Sequence, residues 1–323
     1  MKTKISVVIP TYKRPKLLAK CLAALSKQTL NREDFEVIVV SDGPDPETYE
    51  HIQSWIQSEA IYVNYLQSPK KKGPAAARNL GWRWSRYSLI AFTDDDCLPE
   101  PNWLENFLKV YQGEAVIAYS GFTFVPLSSK PTDYELNIAH LQTANFITAN
   151  CACTAQALKA VNGFDERFET AWREDSDLEF KFITNRIPII KVQQACVVHP
   201  VRQVLWGISI KEQKKGIYDA LLYKKFPSLY RSYIQPRPLW NYYLINILWI
   251  AIIALALDYP NRWLYPIVIL QFILLASFII KRLRHSSKSI SHVLEMVATS
   301  ILIPSLSVVW RIYGAIKYRV LIL

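Results

Sequence analysis

Three consecutive carboxylates, Asp94-Asp95-Asp96, follow the apolar run Leu89-Ile90-Ala91-Phe92. Adjacent carboxylates repel one another unless a cation compensates them. Hard oxygen donors in an open loop suit Mg²⁺ or Mn²⁺, and magnesium usually keeps waters and substrate phosphates in its shell. A solvated acidic turn has the same composition, so the triplet alone points toward a metal without requiring one. A second acidic group, Arg173-Glu174-Asp175-Ser176-Asp177, precedes the apolar register of Leu178, Phe180 and Phe182. Ordinary capping of a helix start is its plain alternative. Asp42 ends another apolar run, and His199-Pro200 a further one. A single His is more often structural than a ligand.

The elements that must carry these groups alternate. Ile5-Ser6-Val7-Val8-Ile9-Pro10 reads as a buried strand and is too short for a secretory core, so no leader is expected at Met1-Lys2-Thr3-Lys4. Leu17, Leu18, Cys21, Leu22 and Leu25 form a helical stripe. Strands are predicted over 35–40, 61–66 and 89–92, and helices over 47–58 and 73–85. Strand–helix alternation with apolar strands predicts a mostly parallel sheet covered on both faces, with ligands at the carboxyl ends of its strands. Asp42 and the aspartate triplet both fall there. From Gln112 to Val198 the pattern turns mixed, with short apolar runs at 115–119, 187–192 and 195–198 and a helix near 155–161.

Charge separates the chain into halves. Its 323 residues carry a formal charge of +11; residues 1–200 are almost neutral, and the remainder holds 16 Lys and Arg against 4 Asp and Glu. A basic, very apolar tail is unlike a nucleic-acid-binding surface, whose cations interleave with polar residues. It suits a soluble domain tethered to an anionic membrane. Five cysteines without a CxxC pair indicate neither a zinc ribbon nor a disulfide framework.

Two apolar stretches, 239–257 and 263–280, are each about 27–28 Å long as helices, close to the thickness of a hydrocarbon core. Residues 258–262 make a polar link, and Trp240, Tyr242, Tyr243, Trp263 and Tyr265 sit where interfacial rings collect. A transmembrane hairpin is predicted, with a buried soluble helix pair as the alternative. Lys211, Lys214, Lys215, Lys224, Lys225, Arg231 and Arg237 precede it, and Lys281, Arg282, Arg284 and Lys288 follow it. Positive flanks place the large amino-terminal region in the cytoplasm. The stretch 294–314 contains Glu295, Pro304 and Arg311 and is followed by Lys317 and Arg319. An interfacial helix fits it better than a third span. The expected division is 1–200, catalytic; 201–238, juxtamembrane; 239–280, hairpin; and 281–323, a basic loop with an interfacial or third transmembrane helix.

Six blocks in order then carry a family resemblance: Val7-Val8-Ile9-Pro10-Thr11-Tyr12-Lys13-Arg14; Ile38-Val39-Val40-Ser41-Asp42-Gly43; Gly73-Pro74-Ala75-Ala76-Ala77-Arg78-Asn79-Leu80-Gly81; Phe92-Thr93-Asp94-Asp95-Asp96 with Pro99; Asn162-Gly163-Phe164-Asp165-Glu166; and Glu174-Asp175-Ser176-Asp177-Leu178. Over residues 4–200 the chain resembles the family 2 glycosyltransferases. The resemblance implies an α/β fold of GT-A type, a Rossmann-like and mostly parallel sheet flanked by helices, here joined to carboxyl-terminal transmembrane or interfacial helices.

By the same resemblance, Pro10, Thr11, Tyr12 and Arg14 hold the nucleotide base and ribose, and Asp42 accepts from the base, typically uracil. Gly73 and Arg78 close over the nucleotide; Lys70-Lys71-Lys72 assist them or form a solvated loop. Asp94-Asp95-Asp96 matches the DxD motif, with Asp96 on Mg²⁺ or Mn²⁺ and Asp94 or Asp95 on the ribose; Asp94 is also a candidate metal ligand, as is His199. Asp175 is the expected catalytic base and Glu174 the second choice. Trp172 stacks on a sugar or belongs to the core, and Asn150 lines the acceptor side. The donor implied is a nucleoside-diphosphate sugar, UDP-linked, and the acceptor a saccharide or lipid-linked saccharide. Polysaccharide biosynthesis is the implied setting, at the cytoplasmic face of the cell membrane. Pro10-Thr11-Tyr12-Lys13-Arg14 contains no Gly, which disfavours a sugar nucleotidyltransferase and a nicotinamide dehydrogenase. A nucleotide-sugar-binding scaffold without turnover is the non-enzymatic alternative. Two predicted spans and no Gln-x-x-Arg-Trp signature favour single-sugar transfer over processive export.

Overall fold

The computed structural model describes residues 4–57, 60–257 and 262–322. Met1-Lys2-Thr3, the end of the predicted 47–58 helix and residues 258–261 of the predicted polar link lie outside the described residues. The chain divides into two compact units, residues 1–126 with 139–201, and residues 127–138 with 202–323.

The first unit is built on eight strands: β1 (Ile5–Thr11), β2 (Phe35–Ser41), β3 (Val63–Gln67), β4 (Leu89–Thr93), β5 (Leu98–Pro99), β6 (Ala118–Phe124), β7 (Asn150–Thr154) and β8 (Ile189–Val198). They form one mixed sheet in the order β3-β2-β1-β4-β7-β6-β8-β5. The four strands β3, β2, β1 and β4 run parallel, whereas β7 is antiparallel to both β4 and β6. Helices α1 (Pro15–Leu25), α2 (Pro46–Ile56), α3 (Pro74–Trp84), α4 (Trp103–Val110), α6 (Ala155–Ala160) and α7 (Glu174–Thr184) belong to this unit; α5 (Asp133–Ala139) lies almost wholly in the second.

Strand periodicity explains the layers. Val7 and Ile9 point into one core with Leu18 and Leu22 of α1, while Val8 points into the other with Ala77 and Trp82 of α3. Both faces of β1 and β2 are buried, which is why they read as unbroken apolar runs. Close helix–sheet packing depends on Gly81, where a Cβ would lie 2.4 Å from Val8 Cγ1. The register pairs Thr11 with Ser41 and Val8 with Phe92, so β1, β2 and β4 deliver Thr11, Asp42 and Asp94 to one edge of the sheet.

One difference from the sequence pattern lies in β8. The apolar runs 187–192 and 195–198 belong to a single strand, whose pairing with β6 jumps from Gly121↔Val192 to Phe122↔Cys196. The skipped residues, including Gln193 and Gln194, form a bulge that breaks the apolar run.

The second unit is helical. It comprises α8 (Ile208–Glu212), a short turn of helix at Gln213–Gly216, α9 (Ile217–Lys225), α10 (Pro227–Tyr233), α11 (Trp240–Leu257), α12 (Leu264–Leu283) and α13 (Ile290–Tyr318). Helices α11, α12 and α13 are each long and apolar enough to cross a membrane. Arg282, 8% exposed, ties this unit together: it donates to Thr299 Oγ1 at 2.7 Å, Ser300 Oγ at 2.9 Å and Asp133 Oδ2 at 2.8 Å. The last contact, with the Ser287 N–H bond to the Pro131 carbonyl, brings residues 127–138 into the unit.

Candidate active site

The aspartate triplet leaves β4 in a tight turn closed by the Cys97 N–H to the Asp94 carbonyl. Its members face different ways. Asp95 is 2% exposed; Thr11 Oγ1 donates to it at 2.8 Å and Arg14 Nη1 at 3.2 Å. Burial pushes its carboxyl up to about 6, against the pull of Arg14. Asp95 therefore joins the β4 turn to the end of β1. Asp94, by contrast, accepts from Arg78 Nη2 at 2.7 Å. Asp96 is 5% exposed, with one oxygen 3.9 Å from His199 Nε2.

Donor atoms of Asp94, Asp96, Cys97 and His199 lie within 4.8 Å of one another. Cys97 is the member that sequence reasoning missed. Burial and the charges of Asp94 and Asp96 push its thiol well up, and as a soft sulfur donor it suits Mn²⁺ or Mg²⁺ poorly. Two carboxylates and an imidazole remain, a donor set that fits Mn²⁺ or Mg²⁺. His199 Nε2 is the ring nitrogen that faces Asp96, so it is the one presented to the cluster.

Arg78 enters from α3 and is 2% exposed. Besides Asp94, its guanidinium reaches Glu174 Oε1 at 3.2 Å through Nη1. The residue expected over the nucleotide thus sits in a buried strut between the β4 turn and the start of α7. Asp94 and Glu174 hold its charge firmly in place against the cost of burial.

Helix α7 begins at Glu174 after Arg173, whose φ of +73° is in the left-handed region that side chains rarely occupy. This sharp entry sets Glu174 inward, 4% exposed, and leaves Asp175 partly exposed. Glu174 is raised to about 7 by burial and by the neighbouring Asp175 charge, with Arg78 opposing. Asp175 is also raised, chiefly by burial, while its Oδ1 accepts the Ser176 N–H at 2.7 Å. Glu174 Oε2 has no hydrogen-bonding partner among the described residues. The Arg173 guanidinium lies 4.6 Å from the Trp172 ring centroid and covers one of the ring's two faces.

On the β1–β2 side, Pro10 and Thr11 are buried at the strand end and Tyr12 follows them, half-buried. The Lys71 ammonium stands 4.5 Å from the Tyr12 ring centroid, a contact that sequence spacing does not reveal. Asp42 accepts from the Lys72 N–H at 2.8 Å and the Gly73 N–H at 2.9 Å, fastening β2 to the start of α3. Gly73 has φ +98°, and a Cβ there would lie 2.4 Å from the Glu169 carbonyl oxygen. Only glycine fits this crossing. Asn79, one residue past Arg78, donates to the Phe164 carbonyl and accepts the Phe164 N–H, both at 2.9 Å, so it holds the 162–166 loop.

Asn150 corrects an expectation. It is fully buried; its Oδ1 accepts from Trp103 Nε1 at 2.8 Å, and its Nδ2 donates to the Phe122 and Ala195 carbonyls. Every polar atom of the side chain ties strands and α4 together, which leaves none for an acceptor. The pairing of Thr93 with Asn150 explains why it lies beside the acidic turn.

The family model described as "Glycosyl transferase family 2" matches residues 6–160. A validoxylamine A glucosyltransferase from Streptomyces hygroscopicus subsp. jinggangensis is 27% identical over 65% of this chain and 56% of its own length. An Escherichia coli chondroitin synthase is 36% identical over 71% of this chain and 39% of its own. The chain thus spans little more than half of the first relative and less of the second. Among solved structures, a mannosyltransferase from Pyrobaculum calidifontis, in complex with GDP-Man and Mn²⁺, aligns over 99% of this chain and 88% of its own, with 17% identity and a TM-score of 0.58. S. aureus TarS 1–349 in complex with UDP-GlcNAc aligns over 96% and 92%, with 15% identity and a TM-score of 0.54. At these identities the structural likeness is one of fold.

Proposed function

Because the family 2 glycosyltransferase model matches residues 6–160, we propose that this chain is a membrane-anchored, metal-dependent, inverting glycosyltransferase. It moves a sugar from a nucleoside-diphosphate sugar, UDP-linked, to a saccharide or lipid-linked acceptor at the cytoplasmic face of the cell membrane. The observation that carries this reading is the Asp94–Arg78–Glu174 connection, which holds the acidic turn and the head of α7 in one buried network.

In this reading Asp94, Asp96 and His199 would hold a divalent cation, which would supply charge neutralisation for the departing diphosphate. Pro10, Thr11, Tyr12, Arg14, Asp42 and Gly73 form the nucleotide side. Asp95 contacts the ribose or braces Thr11 and Arg14. Asp175 takes the proton from the acceptor hydroxyl as that oxygen bonds to the anomeric carbon, and the bond from that carbon to the diphosphate oxygen breaks on the opposite face. Glu174 and Arg78 position Asp175 and Asp94. Helices α11 and α12 anchor the chain, and the basic residues on either side of them favour the cytoplasmic side for residues 1–238 and 281–323.

A panel of nucleotide sugars, each with and without Mn²⁺, tests the reading by thermal unfolding. A bound donor stabilises by mass action. One donor is expected to raise the midpoint only with metal and to release its nucleoside diphosphate. Stabilisation without release would favour a binding scaffold, and no response to any donor would overturn the reading.

A further inference from the structure

Helix α13 wears its polarity inside out. Its inward face carries His292, Thr299, Ser300, Arg311 and Gly314, all buried, whereas Ile290, Leu294, Ile301, Val309, Ile312 and Ile316 are 41–81% exposed. An apolar outer stripe of this kind suits lipid, either across a bilayer or along its surface. The layer behind the helix decides between the two.

Residues 207–224 run beside α13 from end to end in the same direction. The Gly207 N–H donates to Glu295 Oε1 at 2.6 Å. Arg282 connects Ser209 Oγ to Thr299 and Ser300. The Lys214 ammonium lies 5.7 Å from the Trp310 ring centroid, and Asp219 Oδ2 lies 3.9 Å from Arg311 Nη2. A Cβ on Gly314 would lie 2.8 Å from the Ile217 carbonyl oxygen, and Lys224 Nζ donates to the Tyr318 carbonyl at 2.8 Å. A spanning α13 would carry this companion, with Lys211, Glu212, Lys214, Lys215 and Asp219, into hydrocarbon. Charged side chains at that depth are strongly disfavoured. The length disagrees as well: 29 residues reach about 43 Å, against a core of about 30 Å.

We propose that α13 does not cross the bilayer but lies along its cytoplasmic surface, its outer stripe docked into the headgroup boundary of an anionic phospholipid leaflet and residues 207–224 forming the layer behind it. Lys317 and Arg319, both exposed at the carboxyl-terminal end of α13, supply the complementary charge. The proposal rests on the reading that α11 and α12 span.

Two measurements on the full chain test it. Green fluorescent protein fused after residue 323 is expected to fluoresce and alkaline phosphatase fused there to be inactive; the reverse pattern overturns the proposal. Single nitrobenzoxadiazole labels at positions 294, 301, 312 and 316, quenched by depth-marked lipids in phosphatidylglycerol-containing vesicles, are expected at one shallow depth. A deep minimum in mid-helix overturns the surface placement, and identical depths without phosphatidylglycerol overturn the anionic preference. Release of the chain by carbonate wash would remove the spanning hairpin and this proposal with it. Loss of sugar transfer with unchanged topology would strike only the preceding reading.

Discussion

Arg78 and Glu174, 96 positions apart in the chain, meet at 3.2 Å with both side chains almost wholly buried. Since Arg78 also binds Asp94 at 2.7 Å, one guanidinium fixes the spacing between the acidic turn and the start of α7. Removing one partner from a buried ion pair strands the other charge and costs about 3–5 kcal/mol. Arg78→Ala is therefore expected to lower the thermal midpoint sharply. Arg78→Lys keeps the charge but cannot fork between two carboxylates. It is expected to fold, with turnover lowered at least tenfold in a steady-state assay.

The carboxyls at the head of α7 give stability and activity opposite pH slopes. Glu174 moves from its ordinary 4.5 up to about 7 in the folded chain, mainly through burial. The folded state then binds more protons than the unfolded one between those values, so this group's contribution to stability declines as pH rises from about 4.5 to 7. Turnover should instead climb as Asp175, itself raised, loses its proton. Denaturant titrations across this window should show a shallower decline for Glu174→Gln, while its ascending activity limb remains.

Backbone shape at Gly73 is required twice over, by φ +98° and by the Glu169 carbonyl 2.4 Å from any Cβ. Gly73→Ala is expected to cost about 1–3 kcal/mol of stability. Because the Gly73 N–H also binds Asp42, the donor KM should rise as well. Unfolding curves and donor titration of the same variant would check both effects.

Two members of the proposed metal cluster should behave differently under substitution. Cys97 offers a soft sulfur that Mn²⁺ binds poorly, so Cys97→Ala is expected to retain Mn²⁺-dependent turnover within a few-fold of the parent. His199→Ala removes an imidazole and is expected to raise the Mn²⁺ concentration needed for half-maximal activity by about 10-fold or more. Metal titration of both variants after chelation provides the comparison.

Local patterns made much of the sheet legible. Apolar strands alternating with helices placed β1, β2 and β4, and the residues after them, without any knowledge of pairing. What escaped depended on distant partners. Asn150 looked like a pocket residue because nothing near it in sequence announces Trp103, Phe122 and Ala195. Cys97 meets His199 because the short strand β5 pairs Leu98 with Val198 of β8. The two runs of β8 looked separate because a bulge interrupts them. Helix α13 exceeds its predicted 294–314 stretch because buried polar residues such as His292 break the apolar window without ending the helix.

The most direct measurement is nucleoside-diphosphate release by Asp175→Asn beside the parent chain, at matched metal and with donor affinity measured separately. The account predicts unchanged donor binding and turnover reduced by about 10²–10⁴, the span associated with a positioned base. Turnover at the parent rate by Asp175→Asn would contradict it.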